Sequence, residues 1–347
     1  MSMTEVLDEA RARIAVDEEV LEAARERRDL IREIIEEEFS TLRTFGSGSL
    51  AHGTQNSPLA DADLGVVLDR RAYPELGPDG DGPKEIAEKI RQRLRERLKE
   101  SYPVARFYLG GRRAIKVTFN DPVGPDAGDF TADVIVALTR EEGGLWIPDL
   151  KKNQWEPSHP EKHTELVVVR NKATKSTFAR VIRLAKHANK KHGKTICSFN
   201  ITALALECIE EKVSMQDGLA TLLRHAADSL KEGLTEDPAG VSGTIGVNTS
   251  RRKDAADKFK KLAELAEEAV ALEADGETAQ AQKAWSQLLP GAVDPPHDED
   301  LKADFAKALA EGNGRVRQAT SGMVVSDRLG TKVSSGRAFG GKRFEVG

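Results

Sequence analysis

The sequence predicts an α+β fold in two parts, a mixed β-sheet with helices followed by a helical domain. Three observations carry this. Strand-like apolar runs are confined to the part before Gly144, helical periodicity fills most of the chain beyond it, and an amphipathic stretch precedes the first strand. With 347 residues, the chain is long enough for a sizeable core and for two subdomains.

The first forty residues read as helical. Val20, Ala24, Ile31, Ile34, Ile35 and Phe39 recur mostly at spacings of three and four, a face expected to pack on the strands that come next in the chain. Strands are predicted over 41–45 and 61–68. The segment YPELGPDGDGP is a loop, and the charged helix after it repeats Ile86, Ile90, Leu94 and Leu98 at every fourth position, one stripe that makes it a covering helix. Two more strands are predicted over 113–119 and 130–138, joined by NDPVGPDAGD. Helices are predicted at about 176–192, 199–213, 215–231, 254–274, 278–288 and 301–311. The expected division is 1–150 for an N-terminal helix and catalytic core, 151–315 for a helical lobe, and 316–347 for a glycine-rich mobile tail.

Composition narrows the class. The chain is 39% hydrophobic and 31% charged, ordinary for a soluble protein. It has no apolar run long enough for a bilayer, and the N-terminus MSMTEVLDEARARIAVDEEV is charged where a signal peptide needs apolar residues, so a cytoplasmic protein with no membrane partner is expected. Cys197 and Cys208, the two cysteines, exclude a disulfide framework and a four-cysteine zinc site, and read as buried packing residues. A formal net charge of -5 argues against a surface coated for non-specific nucleic-acid binding, so no obligatory nucleic acid is expected.

The chemistry concentrates in FGSGSLAHGTQNSPLADADLGVVLD, residues 45–69. Aspartate is a poor strand former and costly to bury, so Asp61 and Asp63 at the mouth of an apolar strand need a compensating function. Side chains alternate along a strand, which puts both on one face about 7 Å apart, able to converge on one or two divalent cations. Hard oxygen ligands favour Mg2+, with Mn2+ as the alternative. The turn at Gly48 and Ser49 brings backbone N–H groups and a hydroxyl to phosphate oxygens. A third carboxylate is expected on a later strand. Asp133, isolated in TADVIVAL, is the candidate, with Asp129 the alternative.

A G-S turn, a spacer, D-A-D before an apolar strand, and a separate later aspartate resemble the DNA-polymerase-beta-like nucleotidyltransferase superfamily. The runs GLWIPDLKKNQWEPSHPEKHTE, RVIRLAKHANKK and CSFNITALALECI are similar to bacterial nucleotidyltransferases related to cyclic-GMP-AMP synthase and oligoadenylate synthase, which serve anti-phage signalling (CBASS) systems. The likeness spans most of residues 40–290. It implies a polymerase-beta-like core, nucleoside triphosphate substrates and a cyclic di- or oligonucleotide product. It also implies two Mg2+ ions, one on Asp61, Asp63 and Asp133 and the other on Asp61 and Asp63; triphosphate contacts then fall to Gly48, Ser49, Lys186 and Ser198. Two departures stand out: the zinc-binding insertion of the animal DNA sensor is absent, and Leu50 stands where many relatives have an aromatic residue. Some relatives are joined to other molecules through their C-terminus by a ubiquitin-transfer-like partner, an expectation that falls here on Gly347, against the plainer reading of a free terminus.

The second half supports an anionic ligand. No acidic residue occurs between Glu165 and Glu207, whereas Arg170, Lys172, Lys175, Arg180, Arg183, Lys186, Lys190, Lys191 and Lys194 do. Lys190, Lys191 and Lys194 read as a solvated helix end; Lys186, among Val181, Ile182, Leu184 and Ala185, can carry its ammonium along apolar surface to a phosphate. His159 and His163 have a spacing that suits zinc, but Pro160 argues against it. Trp146 and Trp155 read as packing anchors, and His52 as a neighbour of the turn rather than a base. Two rival readings remain: a nucleotidyltransferase acting on tRNA ends, and a non-catalytic nucleotide-binding regulator.

Overall fold

The structure is a computed structural model that describes residues 2–124 and 128–310. The 316–347 tail and Gly347 lie outside the described residues, as do the middle of the 120–129 loop and the end of the last predicted helix.

Among the described residues the strands are β1 (Thr41–Gly46), β2 (Asp61–Leu68), β3 (Arg106–Tyr108), β4 (Ile115–Thr118), β5 (Thr131–Thr139), β6 (Leu145–Asp149) and β7 (Gln154–Ser158). They form one mixed sheet in the order β1-β2-β5-β4-β3, with β6 pairing β5 and β7 pairing β6. The β2–β5 pair is parallel and the others are antiparallel. The helices are α1 (Met3–Arg13), α2 (Glu18–Glu38), α3 (Gly48–His52), α4 (Pro83–Leu98), α5 (Pro160–Ala173), α6 (Thr177–Lys191), α7 (Ser198–Cys208), α8 (Met215–Glu232), α9 (Arg252–Ala274), α10 (Thr278–Leu288) and α11 (Asp298–Ala310). Among the described residues, no helix is long and apolar enough to cross a membrane.

One face of the sheet is covered. The apolar stripes of α2 (Ile31, Ile34, Ile35) and α4 (Ile86, Ile90, Leu94, Leu98) bury Leu64, Val66, Ile115, Val117, Val134 and Val136. The opposite face, at the start of β2 and β5, carries the aspartates. A second core joins α5 through α10 around Phe178, Phe259 and Trp285.

The departures from the expected elements have local causes. The first forty residues form two helices rather than one face: α1, opened by a capping box between Ser2 and Glu5, sends Met3, Val6, Leu7 and Ala10 into the helical core, while α2 turns to the sheet. The stretch 145–158 is a hairpin, concealed by Pro148 and Pro157 within its strands. Helix α5 escapes a periodicity search because its buried stripe is Pro160, His163 and Val167, only one of them a strong apolar marker, while Val168 and Val169 are exposed and blur the pattern. The 199–213 helix ends at Cys208, and Ser214 caps the next helix by accepting from Asp217 N–H. Neither cysteine is fully buried; Cys197 caps α7.

Candidate active site

Parallel pairing of β2 and β5 sets Asp63 directly beside Asp133 and Asp61 beside Thr131. Residues in register share a face, so Asp61, Asp63 and Asp133 all point away from the α2/α4 core. Their buried neighbours Leu64, Ala132 and Val134 hold both strands to that core, and Ala62 packs beside it with Val20, Ala24 and Phe130, which fixes the orientation. The alternative ligand, Asp129, is occupied elsewhere: its Oδ2 accepts from Asn120 N–H at 2.9 Å and braces the β4–β5 connection.

Electrostatics mark the three acids as one group. Burial raises the pKa of Asp61, and the charge of Asp133 raises it further. Asp63 is pushed up to about 7, by burial first and then by Asp61 and Asp133. Such clustered carboxylates are poised to accept cations. Their all-oxygen chemistry suits Mg2+ or Mn2+. Among the described residues, however, no group of three or more His, Cys, Asp or Glu is closed around a metal-sized point. Asp133 Oδ1 instead lies 3.3 Å from Lys116 Nζ and accepts from Thr131 Oγ1 at 3.4 Å.

The turn before β2 folds over the acids. Gly48 has φ +68, and a Cβ there would lie 1.6 Å from Asp63 Oδ2, so only glycine fits. Ser49 is the next residue in α3, its carbonyl accepting from Thr54 N–H at 3.0 Å. Lys186 reaches the same turn from α6, donating to Thr54 Oγ1 at 2.8 Å and Thr54 O at 3.2 Å. Burial lowers its pKa to about 8 against the opposing pull of Asp61. Ser198 lies in the first turn of α7, next to Cys197, whose side chain lies within the field of Lys186. The structure thus gathers Gly48, Ser49, Lys186 and the three aspartates, and Ser198 follows Cys197 at the start of α7.

Other sequence candidates have structural roles. His52 is buried, faces Thr164 Oγ1 at 3.1 Å, and is held neutral, its pKa lowered to about 4 by burial and by Lys186. His159 caps α5 through Lys162 N–H, while His163 pairs with Asp237 at 2.5 Å, so the two histidines do not share a ligand. Trp155 is buried and donates to Asp81 O; Trp146 lies under Arg140. Within the basic run, Arg170 is spent on the carbonyls of Leu206 and Ile209, and Arg183 on Asn56 and Arg11 O.

Two cations near the acids carry no clear signal in the sequence. Lys116 stands in β4 opposite Asp133. Its trace in the sequence is one lysine interrupting the buried alternation of Ile115, Val117 and Phe119. Lys194, expected to be a solvated helix end, lies close enough to lower the Asp61 pKa. It adopts φ +49, with its carbonyl held by Asn248 Nδ2 at 2.8 Å.

Residues 1–171 match the family model described as Second Messenger Oligonucleotide or Dinucleotide Synthetase domain. No curated protein sequence matches the chain. Among solved structures, CdnC of E. coli MS115-1 with ATP is similar at TM-score 0.60 and 16% identity, covering 85% of this chain and 99% of that one. The CD-NTase CdnG of Bradyrhizobium diazoefficiens in complex with GTP gives 0.58 and 15%, covering 87% and 96%. The Vibrio cholerae DncV cyclic AMP-GMP synthase gives 0.54 and 14%, covering 84% and 86%. At these identities the likeness establishes the fold.

Proposed function

We propose that this protein, whose residues 1–171 match the model of the Second Messenger Oligonucleotide or Dinucleotide Synthetase domain, is a metal-dependent nucleotidyltransferase that joins nucleoside triphosphates into a cyclic di- or oligonucleotide messenger in anti-phage defence. The observation that carries this reading is the parallel register of Asp63 with Asp133 beneath Gly48.

Asp61, Asp63 and Asp133 would hold the cations, and Mg2+ there supplies Lewis-acid activation of an attacking ribose hydroxyl and charge neutralisation for departing pyrophosphate. The chain's own part is positioning. The glycine at 48 lets backbone come against Asp63, so that N–H groups at the start of α3 can meet phosphate oxygens beside the acids. Lys186 brings an ammonium from the helical lobe to the same turn, so that a bound triphosphate bridges sheet and helices. Ser198, the first residue of α7, would add a hydroxyl to the triphosphate. Catalysis is then mostly orientation and charge stabilisation.

ATP and GTP in the CdnC and CdnG structures support triphosphate substrates, and the complex of E. coli CdnC with HORMA-deltaN supports a regulatory protein partner. The decisive experiment incubates purified protein with mixed nucleoside triphosphates and Mg2+, with and without tRNA, and analyses the products by mass spectrometry. A cyclic product that disappears in Asp61→Ala is expected. Label appearing only on tRNA, or no turnover at all, would overturn the reading.

A further inference from the structure

We propose that Lys116 is a built-in counter-ion for Asp133 that makes loading of the divalent cation depend on prior arrival of nucleotide. This rests on the reading of the three aspartates as cation ligands. The register of β4 against β5 sets Lys116 opposite Asp133, on the face bearing the acids. Its ammonium is 3.3 Å from Asp133 Oδ1 and 3.4 Å from Thr131 Oγ1, which itself donates to the same Oδ1. Among the described residues it is the one cation in an ion pair with any of the three aspartates. It also offsets the charge felt by both Asp61 and Asp63.

A divalent cation needs the lone pairs of Asp133, and one of those oxygens already faces an ammonium. Entry of the metal therefore has to displace Lys116 and tolerate its repulsion. The Lys116 side chain is 44% exposed on a flexible four-carbon stem, so it can swing clear at low cost. A triphosphate already in place changes the balance: it brings enough negative charge to attract the displaced ammonium and to compensate the cation. In the free protein, Lys116 keeps the acids paired and metal affinity low. With nucleotide bound, the same side chain becomes a phosphate contact at the rim of the site. The result is positive coupling between nucleotide and cation, as linkage requires.

Direct Mn2+ binding tests this, monitored by electron paramagnetic resonance with and without a non-hydrolysable ATP analogue. Wild type, Lys116→Gln, Lys116→Arg and Asp133→Asn are compared, and each is checked for folding by thermal melting. Nucleotide-free Lys116→Gln should bind Mn2+ about tenfold more tightly than wild type, with a correspondingly smaller gain on adding the analogue. Lys116→Arg, which retains the charge, should behave as wild type, and Asp133→Asn should bind weakly throughout. Unchanged or weaker Mn2+ affinity in Lys116→Gln overturns the proposal. Pyrophosphate release is measured in parallel. If wild type binds Mn2+ through Asp133 and Lys116→Gln tightens it, yet no pyrophosphate is released, the nucleotidyltransferase reading fails and the counter-ion role stands. If pyrophosphate is released but Lys116→Gln leaves Mn2+ affinity unaltered, only the counter-ion role falls.

Discussion

Gly48 and Asp63 are so closely apposed that a methyl group on the first would lie 1.6 Å from a carboxylate oxygen of the second. The chain thereby fixes one carboxylate against a backbone turn before any ligand arrives. Gly48→Ala should lose roughly 2–3 kcal/mol of stability and nearly all activity, because both positive φ and steric exclusion of Asp63 oppose the substitution. Gly53→Ala is the comparison: it shares a positive φ, +65, but a Cβ there meets nothing within 4 Å. It should cost only about 1 kcal/mol and retain activity. Equal effects of the two changes on activity would show that the apposition to Asp63 is irrelevant.

Asp63 also predicts a pH dependence. Its folded pKa is raised from 3.8 to about 7 by burial and its acidic neighbours, so the folded protein without cations binds that proton more tightly than the unfolded chain does. The associated stability is fully present below the ordinary aspartate range and is lost as pH rises through about 7. Asp63→Asn removes the buried charge and should raise stability at pH 8 by about 2 kcal/mol, with little gain at pH 4, while abolishing activity. Thermal melts of both proteins at the two pH values check this. A variant less stable than wild type at pH 8 would contradict it.

What the sequence discloses of this site depends on range. The D-A-D at the head of β2, the lone Asp133 and the stripes of α2 and α4 are local patterns of period two or four, and they lead to the correct face of the sheet. Lys116 is not legible, because its meaning depends on strand register, which no local pattern states. The β6–β7 hairpin is hidden by its prolines, and α5 by the exposed Val168 and Val169 beside a buried stripe that includes Pro160 and His163. Lys194 reads as a helix end because it closes the C-terminal turn of α6, its N–H bonded to Asn189 O; that this turn lies near Asp61 is a long-range fact.

The loop after α8 should be as important to stability as the core helices. Asp237 is buried and accepts from the N–H groups of Ala239, Val241 and Ser242 as well as facing His163. Burial pushes its pKa up, but the N–H groups of Ser242 and Val241 and the His163 contact outweigh this and leave it lowered. Stability from such a group is present above the ordinary aspartate range and disappears as pH falls through the lowered value. Asp237→Ala leaves these N–H groups unpaired and should cost about 2–4 kcal/mol at pH 7, measured by urea unfolding. A loss below about 0.5 kcal/mol, within the range of ordinary surface changes, would remove the loop from the stabilising framework.

Lys186 gives a third pH signature, read in nucleotide affinity rather than stability. Its amine, bonded to Thr54, has a pKa lowered by burial to about 8, so the free protein begins to lose this charge just above neutrality. Triphosphate binding favours the ammonium, and nucleotide affinity should therefore decline as pH rises through about 8, by up to tenfold per pH unit. Lys186→Met should weaken binding of a non-hydrolysable triphosphate about tenfold at pH 7 and flatten the decline above pH 8. Lys186→Arg should retain charge at every pH yet fit poorly, since a planar fork does not reproduce one ammonium bonded to both oxygens of Thr54. Calorimetric titrations from about pH 6 to about pH 9.5 separate these outcomes. A wild-type curve without the inflection, or a Lys186→Met curve that keeps it, would assign the titration to another group and remove Lys186 from the triphosphate site.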